Sequence, residues 1–178
     1  YQLTKQFPKI KTIYSNDIFF KELIKFQIND PLKEIQLSKA IKELGNFEDN
    51  ISKKVKTMYE ENPYPRWCHE NPFYQERFSL TEAINIEIRP NFIPFVPNLS
   101  KPKVLIAGCG TGKHIFCAQR YKNAEITAID LSLSSLAYAK RQLLEYGIKN
   151  VELINMDILN VSLIKKKFDV IECCGVLH

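Results

Sequence analysis

Apolar and polar positions alternate differently in the two halves of the chain. From Lys103 onward, short apolar runs separate longer amphipathic stretches. Residues 1–100 lack this alternation, and they contain eight of the nine prolines and a single glycine, Gly45. Short apolar runs between turn residues are typical of strands buried on both faces of a parallel sheet. We therefore predict a helical region with a proline-rich connector over 1–100 and an α/β domain over 101–178.

The second region is predicted to alternate strands and helices. Helices are expected over 112–121 and 133–146, with Gly147 ending the latter. Strand, helix, strand, helix, strand is the order that right-handed crossovers produce in a doubly wound sheet. The apolar runs predict four strands, over 104–107, 126–129, 151–154 and 168–173.

Three helices are predicted in the first region. The first covers 18–24 after a cap at Asn16 or Asp17, because these side chains accept hydrogen bonds from the free amides of a first turn. The second opens at Asp30-Pro31 and continues to Gly45, with apolar residues at roughly helical spacing. The third covers 51–61.

A proline-rich segment follows these helices. Residues 62–67 read Asn-Pro-Tyr-Pro-Arg-Trp, and the two prolines prevent a helix there. Its aromatic and arginine side chains suit a lid over a ligand or a groove for a partner, and the alternative is a packed connector. Residues 91–102 are predicted to be a linker.

Composition and charge narrow the function classes. The net charge is +5 and the lysines are scattered, so a nucleic-acid partner is not expected. No apolar run approaches the roughly 18–20 residues of a membrane span. The five cysteines form no C-x-x-C pair, which indicates no zinc site, no disulfide framework and a reducing cytoplasmic location. The first methionine is Met58, so we expect a fragment of a longer reading frame.

The residues that follow the first two strands carry the candidate chemistry, because doubly wound sheets bind ligands beyond the carboxyl ends of their strands. Residues 108–112 read G-x-G-x-G, and Lys113 stands where a dinucleotide fingerprint needs its third glycine. The alternative for this glycine turn is a tight turn without a ligand. Asp130 ends the second strand and can accept hydrogen bonds from ribose hydroxyls. It can also cap the next helix, although Ser132 can take that role.

The third strand is followed by Met156-Asp157-Ile158. The carboxylate of Asp157 can accept a hydrogen bond from an adenine amino group, and the flanking apolar side chains can pack on the ring. The alternative is an aspartate that only stabilises a turn.

These motifs, in their order and spacing, resemble a class I S-adenosylmethionine-dependent methyltransferase. The resemblance rests on 104–112, 129–132, 156–158 and 168–171, and it covers under half of the chain. Residues 58–67 are similar to bacterial methyltransferases often fused to tetratricopeptide repeats, and such a repeat is expected only upstream of Tyr1. The family has seven strands, so the resemblance implies a Rossmann-like core truncated after its first four strands and inactive in isolation.

The resemblance also implies S-adenosyl-L-methionine as the cofactor and a set of residues that hold it. The glycine turn would line the methionine end of the cofactor. The residues after the second strand would contact the ribose and one face of the adenine, and the residues after the third strand would contact the adenine. The implied residues are Gly108, Cys109, Gly110, Gly112, Asp130, Leu131, Met156, Asp157, Ile158 and Cys174.

The methyl acceptor, a small molecule or a protein, is not readable from the sequence. Candidate bases for removing a proton from the acceptor are His114, His178, Tyr64 and Tyr74, and His114 is more consistent with a capping or packing role. Two alternatives stay open: a nicotinamide-dependent oxidoreductase, and a non-enzymatic interaction module on a Rossmann-like scaffold. Lys113 disfavours the first, and the glycines together with Asp130 disfavour the second.

Overall fold

A parallel sheet forms the centre of the chain. The computed structural model describes residues 9, 15–67, 76–94 and 99–176. Over these residues the sheet has five strands in the order β1-β4-β3-β2-β5. The strands are β1 Lys42–Glu43, β2 Lys103–Ala107, β3 Glu125–Asp130, β4 Val151–Asn155 and β5 Val170–Glu172.

Six α-helices accompany this sheet in the described ranges. A π-helical turn, Lys25–Asn29, joins the first two helices, and a 3₁₀ helix, Ile158–Leu163, follows β4. The α-helices are α1 Ile18–Ile24, α2 Asp30–Ser38, α3 Asn50–Glu61, α4 Leu80–Glu87, α5 Lys113–Ala118 and α6 Leu133–Glu145. None of them has both the length and the apolar character needed to cross a membrane.

The register of the sheet brings the carboxyl ends of its central strands together. Ala107 of β2 pairs with Ile129 of β3, and Asp130 of β3 pairs with Asn155 of β4. Side chains alternate between the two faces, and both faces are buried: Val104 and Ile106 pack in one core cluster, whereas Leu105 and Ala107 pack in the other. The four predicted strands and the α/β fold with preceding helices are thus confirmed.

The predicted helix from Asp30 to Gly45 begins at Asp30, as expected, but it ends early. A π-helical turn joins it to α1, and the Asp30 amide donates to the Lys25 carbonyl within that turn. The helix ends at Ser38, and the chain then forms β1, which pairs with β4 as an outer strand of the sheet. Ile41 packs against one core cluster and Leu44 against the other. The two side chains pack on opposite faces of the sheet. Their spacing, which resembles that of a helix, therefore arises from a strand and gave the wrong helix end.

Two other helix predictions also need correction. The helix expected over 112–121 is shorter, Lys113–Ala118, because residue 121 forms a bridge with Phe78. The helix α4, which lies before the predicted linker, was not predicted. It begins with a capping box, in which Ser79 and Glu82 each bond the other's backbone amide. The helices predicted over 51–61 and 133–146 are confirmed as α3 and α6.

A buried cation joins the N-terminal helices to the α/β core. The guanidinium of Arg141 on α6 lies 2.9 Å from the Glu34 carboxylate and 3.4 Å from that of Asp30, both on α2. Its side chain is 4% exposed and also pairs with Glu145, 3.0 Å away. Arg141 therefore holds α2 against α6, and the division of the chain at residue 100 stays a prediction.

Candidate functional site

A cleft opens at the carboxyl edge of the sheet, between the strand ends and helix α3. Its volume is about 520 Å³, within the range of sites that hold small molecules and cofactors. Residues after β2, β3, β4 and β5 form its floor, and α3 forms one side. This is the edge at which a doubly wound sheet is expected to bind a ligand.

The glycine turn after β2 lines this cleft with backbone atoms. Gly110 has φ +52°, and a Cβ placed there would meet only the Tyr64 carbonyl oxygen, at 3.9 Å. The amides of Gly108 and Cys109 both donate to the Ile129 carbonyl, at 2.9 and 3.0 Å, which ties the turn to β3. The turn therefore offers a ligand an open, backbone-lined surface that a side chain at 110 would narrow.

Gly112 has a packing role instead. It does not contact the cleft, and at its φ of +97° an added Cβ would lie 2.9 Å from the Cβ of Ala139 on α6. The residue is therefore glycine because α5 and α6 approach closely there. The sequence-based prediction of a cofactor contact at Gly112 has no support in this geometry.

Asp130 lies where the glycine turn and the next helix meet. Its carboxylate accepts hydrogen bonds from the Gly110 amide at 2.7 Å and the Ser132 amide at 2.9 Å. Burial raises the pKa of this carboxyl group, the two hydrogen bonds oppose that effect, and the charge of Glu60 adds to it. Ser132 caps α6 by accepting from the Ser135 amide, so Asp130 is not the helix cap.

The residues after β3 and β4 supply apolar walls. Leu131, Met156 and Ile158 line the cleft, as expected, but Asp157 does not. Asp157 is only 2% exposed, and its carboxylate accepts a hydrogen bond from the Leu159 amide at 2.9 Å. Asp157 thus caps the 3₁₀ helix, the alternative that the sequence left open, and its adenine contact stays a prediction.

Two thiols line the cleft. Cys109 is buried, and burial together with the nearby Asp130 charge raises its pKa well above the usual value, so the thiol stays protonated at neutral pH. Cys174 is exposed and lies on the side contributed by the end of β5. Both positions agree with the predicted site, whereas the contacts with a cofactor stay predictions.

The segment 62–67 is both a connector and part of the cleft rim. The Thr111 hydroxyl donates to the Pro65 carbonyl at 2.6 Å, and the Trp67 indole donates to the Thr111 carbonyl at 3.1 Å. The Trp67 carbonyl accepts from Gln142 of α6 at 3.0 Å. Tyr64 is 73% exposed and lines the cleft. The segment is therefore fixed to the glycine turn and presents one aromatic side chain to the cleft.

Among the candidate bases, His114 and Tyr64 line the cleft. His178 and Tyr74 lie outside the described residues. Of the four candidates, His114 and Tyr64 are therefore the two that the structure places at the cleft.

Sequence reasoning missed two contributors. The Asn155 side-chain amide donates to the carbonyls of Asp130 and Leu131, at 3.0 and 2.8 Å, and so fixes the loop after β3. Helix α3 was predicted, but not its place over the cleft, which it lines with Ile51 and Met58. The apolar face of α3 was visible in the sequence, whereas what it faces depends on tertiary packing.

Parts of this chain are similar to known proteins. Residues 104–178 match a family model described as a methyltransferase domain. An uncharacterized protein of Synechococcus sp. is 30% identical over 73% of this chain and 31% of its own length. Another, RP028 of Rickettsia prowazekii, is 31% identical over 71% of this chain and 48% of its own. The chain thus spans less than half of these curated relatives.

Among solved structures, PKMT2 from Rickettsia typhi in complex with AdoHcy is 36% identical over 45% of this chain and 16% of its own, with a TM-score of 0.40. The family match covers the glycine turn, Asp130 and the walls supplied after β3 and β4. Residues 104–178, among which are the residues that form the floor of the cleft, are therefore similar to a methyltransferase domain.

Proposed function

We propose that this chain binds S-adenosyl-L-methionine in the cleft and contributes the cofactor-binding part of a methyltransferase. One observation carries the proposal: the open glycine turn, the Asp130 carboxylate and two apolar walls converge on one cleft at the carboxyl edge of the sheet. The methyltransferase-domain match over the same residues supports it.

The residues present suit the chemical parts of this cofactor. Asp130 uses two acceptor positions on backbone amides, and a carboxylate has about four, so two remain for ribose hydroxyls. Leu131, Met156 and Ile158 offer apolar surface for the faces of an adenine ring. The open side of Gly110 leaves room for the methionine part.

When bound, S-adenosyl-L-methionine supplies a methyl group on a sulfonium, which is already activated for transfer to a nucleophile. The protein's task is to fix the position of the acceptor and to receive its proton where it has one. Tyr64 lines the cleft next to the Pro65 carbonyl that Thr111 binds, which suits the first task, and His114 is the candidate for the second. The acceptor, the tetratricopeptide association, the cytoplasmic location and the inactivity of this chain alone stay predictions.

Calorimetry with S-adenosylhomocysteine and with NAD tests the proposal. We expect micromolar binding of the adenosyl ligand only, weakened about tenfold or more by Asp130→Asn, which corresponds to about 1.4 kcal/mol. Asp169→Asn is the matched control, because its carboxylate also accepts a backbone amide, that of Lys103, but at the opposite edge of the sheet. Binding of NAD instead, or of neither ligand by the folded chain, would contradict the proposal.

A further inference from the structure

Helix α3 presents apolar side chains to the cleft that pack against little else. Of its twelve residues, only Ser52 is buried. Ile51 is 72% exposed and Met58 is 54% exposed, and both line the cleft together with Val55. We call these three residues the α3 stripe. Apolar side chains at helical spacing on the side of a cleft are typical of a surface that a ligand covers.

The C-terminal end of α3 is held by several hydrogen bonds to the start of α6, whereas the α3 stripe is largely exposed. The Glu60 carboxylate accepts from the Leu133 amide at 2.5 Å, from the Ser134 amide at 3.1 Å and from the Ser134 hydroxyl at 2.5 Å. The Tyr59 carbonyl also accepts from the Ser132 hydroxyl, at 3.1 Å. The amides that open a helix have no partner within it and favour a negative charge, so Glu60 is a strong acceptor for the start of α6.

These contacts fix α3 to the loop that holds the proposed ribose and adenine contacts. Leu133 and Ser134 are separated from Asp130 and Leu131 in the chain only by residue 132, and Asp130 and Leu131 both line the cleft. The Glu60 charge is close enough to Asp130 to raise the pKa of that carboxyl group. Glu60 therefore ties the helix that carries the α3 stripe to the segment that supplies Asp130 and Leu131 to the cleft.

We propose that the α3 stripe is a further apolar wall of the adenosyl pocket, in addition to the residues after β3 and β4, and that Glu60 is the positioning residue that holds it in place. The inference rests on the proposed function. The occupant is the adenosyl group because the stripe shares one cleft with Leu131, Met156 and Ile158, and two apolar walls enclose the faces of a flat purine. A stripe that instead serves the methyl acceptor, or a protein partner, would leave the binding of S-adenosylhomocysteine unchanged when it is altered.

Truncation of the stripe tests the wall. Met58→Ala is expected to weaken S-adenosylhomocysteine binding about fivefold or more, because ligand contact with the side chain is lost. Lys54→Ala is the matched control, since Lys54 is exposed on the same helix and does not line the cleft. Equal affinities for the Met58→Ala variant and the wild type would overturn the assignment of the wall.

Neutralising the carboxylate tests the positioning role. Glu60→Gln keeps the size of the side chain but removes its charge and one acceptor oxygen, and Glu61→Gln changes an exposed neighbour. Stopped-flow fluorescence of Trp67, the one tryptophan in the sequence, can follow ligand dissociation. We expect about tenfold faster dissociation for Glu60→Gln, faster hydrogen exchange of the α3 amides, and no change for Glu61→Gln.

A double variant separates positioning from general destabilisation. If Glu60 acts through the stripe, Glu60→Gln and Met58→Ala disturb the same wall, and their combined loss of affinity is smaller than the product of the separate losses. Independent losses that multiply, or a Glu60→Gln variant within twofold of Glu61→Gln, would overturn the inference and leave the proposed function intact. Failure of the wild type to bind the ligand would remove both.

Discussion

The packing role of Gly112 makes a quantitative prediction about stability. Gly112→Ala places a side chain at a φ of +97°, which costs about 1–2 kcal/mol for an L-residue. The new Cβ also lies 2.9 Å from the Cβ of Ala139 and 3.3 Å from its Cα. Because the Cα belongs to the backbone of α6, it cannot rotate away, and such overpacking costs about 1–3 kcal/mol. The free energy of unfolding is therefore expected to fall by about 2–5 kcal/mol.

Gly147 provides the matched control for the backbone part of this cost. Its φ is +67°, and a Cβ there would meet no atom within 4 Å. Gly147→Ala is expected to cost only about 1–2 kcal/mol. The difference between the two variants, measured by urea unfolding followed by circular dichroism, isolates the overpacking at Gly112.

A second substitution should reverse the overpacking. Ala139→Gly removes the atom that the new Cβ meets, at a cost of about 1 kcal/mol for a glycine within a helix. The double variant is then expected to be more stable than the sum of the two single effects by about 1–3 kcal/mol. The packing role of Gly112 would be refuted if Gly112→Ala lowered the free energy of unfolding no more than Gly147→Ala does. It would also be refuted if adding Ala139→Gly did not recover stability.

Three further predictions concern buried polar groups. Because burial raises the pKa of Asp130, the folded chain holds that proton more tightly than the unfolded chain, so the stability this group contributes at low pH is lost as pH rises through the raised pKa. Asp130→Asn leaves one of the two backbone amides without an acceptor, and unfolding titrations should show that it costs less stability at neutral pH than at acid pH, whereas the reverse order would contradict the burial argument. Arg141→Met leaves the buried Glu34 unpaired and should cost about 3–5 kcal/mol at neutral pH, and less at acid pH where Glu34 is protonated, as thermal unfolding across pH can check. Trp67→Phe leaves the Thr111 carbonyl without its indole donor and should cost about 1–3 kcal/mol in urea unfolding, whereas an unchanged midpoint would show that the bond is dispensable.

The α/β core could be predicted from the sequence because its signals are local and periodic. The apolar runs of β2, β3 and β4 and the strong amphipathic pattern of α6 each determine their own element. The strand β1 could not be predicted, since two charged residues, Lys42 and Glu43, carry no strand signal of their own. They pair with β4, and Ile41 and Leu44 on either side pack, partly buried, against the two core clusters.

The floor of the candidate site could be predicted from the sequence, whereas the side formed by α3 could not. Gly110, Asp130 and Leu131 follow strands, and the fold class alone places such residues at one edge of the sheet. Gly112 and Asp157 show the limit of that rule, because their environment is decided by the approach of α6 and by the turn after β4. Helix α3 reaches the cleft through Glu60, and a contact between residues 60 and 133 leaves no periodic pattern in the sequence.

The most direct test of the central claim is to locate bound S-adenosylhomocysteine by nuclear magnetic resonance. The sequence has six glycines, whose backbone amide signals form a small, well-separated set in a chain of 20.7 kDa. We expect the ligand to shift the signals of Gly108 and Gly110 and to leave those of Gly45 and Gly147 in place. Shifts confined to Gly45 or Gly147, or no shift at millimolar ligand, would contradict the claim that this cleft holds the cofactor.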